Sequence, residues 1–214
     1  MQVTVSSGNN INGTLVLPLF EGAQTITDNA EGVPVALKSQ INRVLSEGDF
    51  KGKANSIMSL YGTEGGKAIL VGLGKEEKST TQTYRDAGAT VVAQHKKSHD
   101  SELTVVFHTS DVDAIIAFSE GMMMRDYKYD IYKKTEEDDE KTPLTARINC
   151  NESDASTLSL AIDRASAVVS GVHLSRDLGN CPPNDMYPMA FAEMAEKWAD
   201  EYDNVKVEVI DYET

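Results

Sequence analysis

Two spacings of apolar residues alternate along this chain. Gln2–Ser7 steps between polar and apolar side chains, the period-two pattern of a strand, and Gly13–Phe20 (GTLVLPLF) reads as a buried strand. Gly8-Asn9-Asn10 between them is a turn signal. Over 34–47 the apolar residues Val35, Leu37, Ile41, Val44 and Leu45 fall close to helical spacing, with Pro34 suited to the first turn and Gly48 to the stop. Ser56–Tyr61 and Lys67–Gly72 read as strands across the Gly62–Gly66 turn; the second, AILVGLG, is the continuous apolar run of a strand covered on both faces. Further on, the pattern predicts a helix from a cap at Thr80 or Thr81 to about Lys97 and a strand over Leu103–His108. A helix capped at Ser110-Asp111 follows, from Val112 to about Met124, and then a strand over Pro143–Cys150. A long helix capped at Ser153 or Asp154 runs to about Leu178, a further helix covers Pro188–Tyr202, and a last strand covers Val205–Ile210.

Repeated βα alternation predicts an α/β protein with a mixed, mostly parallel sheet flanked by helices. The expected division is a domain over residues 1–150, a connecting helix over 151–180 and the incomplete start of a second α/β domain over 181–214. A boundary is expected at 136–142 or at the helix start near Asp154. The strand at 205–210 has few partners in view after Cys150, which gives this end an unfinished look.

With 214 residues, 40% hydrophobic and 25% charged, the chain can bury a substantial core, which excludes disorder throughout. Its longest apolar runs, such as Ala68–Leu73, are too short to span a bilayer, and MQVTVSSGNN lacks the features of a signal peptide. Two cysteines, Cys150 and Cys181, make no disulfide framework and suggest reduced thiols in a cytoplasmic protein. The net charge of -14 argues against a nucleic-acid surface. Residues 151–214 contribute most of it, with 4 basic and 13 acidic side chains.

Residue by residue, little chemistry stands out. His95 and His99 are four apart on a predicted helix, a metal-ligand spacing, but no third ligand accompanies them, and two exposed polar residues are the plainer reading. The other two histidines are His108 and His173. The run Glu136–Glu140 lacks the spacing and glycine of a calcium loop and reads as solvated. Gly72-Leu73-Gly74 after a strand could let a phosphate approach backbone amides, yet the dinucleotide and Walker patterns are absent, and a tight strand exit is favoured. Cys181, between Asn180 and Pro182, lacks a histidine partner for a nucleophile. Met122–Met124 reads as apolar packing.

An ordered set of segments carries more. These are Leu17-Pro18-Leu19-Phe20-Glu21-Gly22, Gly48-Asp49-Phe50-Lys51-Gly52-Lys53, Leu70-Val71-Gly72-Leu73-Gly74-Lys75, Tyr84-Arg85-Asp86-Ala87-Gly88 and Ser119-Glu120-Gly121. Tyr127-Lys128-Tyr129-Asp130 and Tyr132-Lys133 follow, and then Arg176-Asp177-Leu178-Gly179-Asn180-Cys181-Pro182-Pro183-Asn184 with Tyr187-Pro188. In this order they resemble the N-terminal part of the leucyl (cytosol) aminopeptidases, two-metal exopeptidases. Cys181 stands where that family more often has threonine. Pro182-Pro183 ends a helix by fixing φ and removing two donors, a structural role only.

The resemblance implies a macro-domain-like N-terminal domain, then a connecting helix, then a catalytic domain. In the family a lysine, several aspartates and a glutamate of that later domain hold two divalent ions, zinc or manganese. Their motifs, of the types V-G-K-G…F-D-S-G-G and N-T-D-A-E-G-R, do not occur in these residues, so no catalytic, cofactor-binding or metal residue is carried over. The implied partners are the chain's own catalytic domain, further copies in a homohexamer, and the parent's peptide substrates. An alternative is a macro-like module binding a nucleotide or ADP-ribose near Gly72–Gly74, and an assembly element is a third reading.

Overall fold

The computed structural model describes residues 1–8, 11–26, 32–62, 66–95, 100–133 and 143–210. Six strands form one sheet: β1 (Gln2–Ser7), β2 (Thr14–Phe20), β3 (Ile57–Tyr61), β4 (Lys67–Gly74), β5 (Glu102–Val106) and β6 (Thr145–Cys150), in the order β1-β6-β5-β2-β4-β3. Every neighbouring pair is parallel except β3–β4, the hairpin at one edge. The helices are α1 (Val35–Ser46), α2 (Thr81–His95), α3 (Val112–Asp126), α4 (Ala155–Asn180) and α5 (Pro188–Ala199).

Strand alternation sorts the core into two faces. Leu15, Leu17, Ala68 and Leu70 pack against Leu37, Ile41 and Leu45 of α1. Val16, Ile69, Val71, Leu103, Val105 and Ile148 meet α2, α3 and the first turns of α4 on the other side. Both faces of β2 and β4 are therefore apolar, as a central parallel pair requires.

Two compact units are present, Met1–Gly171 and Val172–Thr214. The first extends past residue 150 because Leu158 and Ile162 of α4 enter the main core, while Ala165 and Val169 pack with Met123 of α3. The second contains the end of α4, the turn at Pro182-Pro183, and α5. In that turn the amides of Asp185 and Met186 donate to the Pro182 carbonyl.

Two expectations change. Residues 205–210 form no strand, since no strand among the described residues lies beside them to complete their hydrogen bonds. α5 stops at Ala199, and the amide of Asp200 donates a hydrogen bond to the Glu196 carbonyl.

Candidate functional site

A cleft of about 730 Å³ opens at the carboxyl ends of β1, β5 and β6. A second, about 310 Å³, lies beyond the ends of β2 and β5. His108 lines both.

The local cause is Pro18. β2 pairs with β5 only over Thr14–Val16 but follows β4 as far as Phe20. Proline has no amide to offer a ladder, and β5 pairs with β2 no further than Val105. The His108 imidazole then hydrogen-bonds the Pro18 backbone instead. Its ring meets Phe20 edge-to-face at 5.3 Å, and Phe20 meets Tyr84 at 6.2 Å in the same manner.

Burial lowers the His108 pKa, the Pro18 bond and Glu76 opposing it. Burial favours the neutral ring, in which one nitrogen donates to the Pro18 carbonyl and Nε2 is left as an acceptor. That Nε2 is buried without a partner, as is Oδ1 of Asn149, which also lines the wider cleft. Ser6 Oγ, on the residue opposite Asn149 in the ladder, is likewise unpaired.

The surroundings are acidic. Glu152 and Asp154 line the wider cleft and Glu76 the narrower one, with no lysine or arginine in either lining. Burial, then Asp111 and Glu76, raise the Tyr84 pKa. Burial, then Asp154, push the Cys150 thiol up, which makes it a poor nucleophile. The first-turn amides of α3, at Asp113 and Ala114, are occupied by the Asp111 carboxylate, so this helix start offers no ready anion site.

Gly72-Leu73-Gly74 forms no phosphate cradle. The Gly72 amide donates to Ser56 and the Gly74 amide to Gly52, while the Gly72 carbonyl accepts from Asn55. A Cβ on Gly72 would lie 2.0 Å from the Lys53 carbonyl oxygen, so the segment 52–56 fills the space a ligand would need.

The other sequence candidates scatter. His95 is buried, not exposed: Nε2 donates to the Asp100 carbonyl at 2.8 Å and Nδ1 has no partner. His99 and the run 136–140 lie outside the described residues. His173 sits on α4, and neither Cys150 nor Cys181 is in a disulfide. Met122 and Met123 are buried on α3. No three His, Cys, Asp or Glu side chains among the described residues come together as metal ligands. Sequence reasoning missed His108 as the centre of the clefts; the signal was Pro18 inside a predicted core strand.

Comparison with known proteins decides the family. Residues 16–136 match the profile of the cytosol aminopeptidase family, N-terminal domain. The chain belongs to the cytosol aminopeptidase family. It is 32% identical over 209 residues to a Ralstonia pickettii protein named "Probable cytosol aminopeptidase", and 30% over 203 residues to one of the same name from Protochlamydia amoebophila. It is 28% identical over 207 residues to the cytosol aminopeptidase of Pseudomonas aeruginosa. Each alignment covers 92% of this chain but only 40–41% of the relative. Among solved structures, a tomato leucine aminopeptidase mutant has a TM-score of 0.77 at 24% identity, covering 99% of this chain and 45% of that one. A bottromycin maturation enzyme in complex with Mn has a TM-score of 0.63 at 21% identity, covering 88% and 36%. The mixed, mostly parallel α/β fold is shared with both.

No helix among the described residues is long and apolar enough to cross a membrane.

Proposed function

We propose that this cytosol aminopeptidase segment is the N-terminal portion of a cytoplasmic, metal-dependent leucyl aminopeptidase, and that it is inactive by itself. The match over residues 16–136 to the family's N-terminal domain carries the reading. In the parent, two zinc or manganese ions would polarise the scissile carbonyl and activate a water for removal of the N-terminal residue of a peptide. The family's metal-ligand motifs do not occur in these 214 residues, so this reading places the chemistry in the catalytic domain. The segment's own role is assembly, as part of a homohexamer, or regulation, with its catalytic domain as first partner.

The test is hydrolysis of leucine p-nitroanilide with added Mn²⁺. The 214-residue chain should release no nitroaniline above the metal-only blank. A protein that carries this chain fused to a full-length relative's remaining portion should hydrolyse it. Activity in the isolated chain would overturn the claim of inactivity, and a silent fusion that is folded and metal-loaded would overturn the peptidase assignment.

A further inference from the structure

β2 and β5 are adjacent and parallel. Yet β2 leads to α1 on one face of the sheet, whereas β5 leads to α3 on the other. A crevice therefore opens between their carboxyl ends, the place where open α/β sheets bind ligands. His108 stands in it, between the two clefts. His108 Nε2 and Asn149 Oδ1 are both acceptors without donors, Glu76, Glu152 and Asp154 add negative charge, and no cationic side chain lines the clefts. Phe107, Ile115 and Leu158 add apolar surface to a wall that also carries Ser7, Thr109, Ser110 and Asn151.

We propose that this crevice is a binding site for a small compound bearing an aliphatic ammonium group. The ammonium supplies the missing donors and meets the carboxylates, and its hydrocarbon part lies on the apolar wall. A phosphate would meet the carboxylates Glu76, Glu152 and Asp154 and no cationic side chain. Both acceptor atoms are buried, so the ligand turns the imidazole to reach Nε2. A modest rotation costs less than an unmade buried hydrogen bond. The proposal is independent of the aminopeptidase reading, because it concerns only residues of the first unit.

The test is hydrogen–deuterium exchange with mass spectrometric readout on the full protein, with millimolar isopentylammonium at neutral pH. Isocaproate and ADP-ribose serve as anionic comparisons. The amine should slow exchange over 107–115 and 149–158, a localised effect that binding at a peptidase centre in another domain does not produce. His108→Phe keeps an aromatic ring against Phe20 but accepts nothing, and should weaken binding about tenfold. His108→Gln retains an acceptor and should stay within a few-fold of the parent. Should His108→Phe fail to fold, the pair Glu152→Gln and Asp154→Asn reads the same site and should also weaken binding about tenfold. No local slowing by the amine, unchanged affinity in these variants, or slowing by ADP-ribose alone would each overturn the proposal.

Discussion

His95 shows what a single buried side chain does to this fold. It ends α2 with its Nε2 bonded to the Asp100 carbonyl, beside the Lys67–Asp100 ion pair and the Thr14 hydroxyl that donates to Asp100. Burial is the main cause that lowers its pKa; Lys67 acts in the same direction, and Asp100 opposes through its carbonyl and its charge. Because the native value lies below the ordinary 6.5, the unfolded chain binds the proton more readily. The contribution to stability is therefore complete above about pH 6.5 and is lost as pH falls through the lowered native value. Between pH 7 and 5, Tm should drop, with a slope from His95 of at most about 1.4 kcal/mol per pH unit. His95→Gln keeps a donor for Asp100 but cannot titrate, and should flatten the curve. His108, lowered for the same reason, supplies the remaining slope. An unchanged pH profile in His95→Gln would remove this explanation. The Glu102–Arg147 pair, whose hydrogen bonds hold the carboxyl below its ordinary value, acts only at more acidic pH. None of this was legible in the sequence, where His95 read as exposed. Burial of a helix-end residue depends on a strand edge distant in the chain.

At the scale of elements, the pattern of apolar residues located nearly every helix and strand, since the period depends only on which side faces the core. It missed the order of strands, and it overread 205–210, because alternation states what a strand would need and not whether a neighbour exists. It also left unexplained the two short segments Arg85–Gly88 and Ser119–Gly121. The structure joins them. α2 and α3 cross with their backbones in contact: a Cβ on Gly88 would lie 2.1 Å from the Phe118 carbonyl oxygen, and one on Gly121 1.9 Å from that of Arg85. Arg85 and Glu120 close the same crossing with an ion pair of 2.7 Å. Neither carbonyl belongs to a side chain that can move aside, so Gly88→Ala or Gly121→Ala should each cost about 3 kcal/mol in urea unfolding as the helices separate. Gly171 and Gly179 on α4 are exposed helix positions with nothing within 4 Å of an added Cβ. There alanine should stabilise the chain by about 0.5–1 kcal/mol. Equal effects at the two pairs would show that backbone contact is not what the α2–α3 glycines serve.

For the molecule as a whole, the two units differ in how completely they bury their apolar residues. The first places two full clusters against the two faces of its sheet. The second buries little of what it carries: on α5 only Ala199 is buried, whereas Met189 (59%), Phe191 (51%) and Trp198 (41%) are exposed, as is Ile210 (76%) in the extended segment beyond. Apolar surface of this extent on a monomer is an association hazard. The 214-residue chain studied by itself should therefore self-associate in a concentration-dependent way and bind a hydrophobic dye. Replacing Met189, Phe191 and Ile210 by serine should reduce both while leaving the unfolding of the first unit unchanged, because none of the three belongs to its core clusters. Sedimentation velocity across a concentration series decides it. A parent chain that stays monomeric throughout, or a triple variant that associates as strongly as the parent, would show that this surface is not what makes the chain associate.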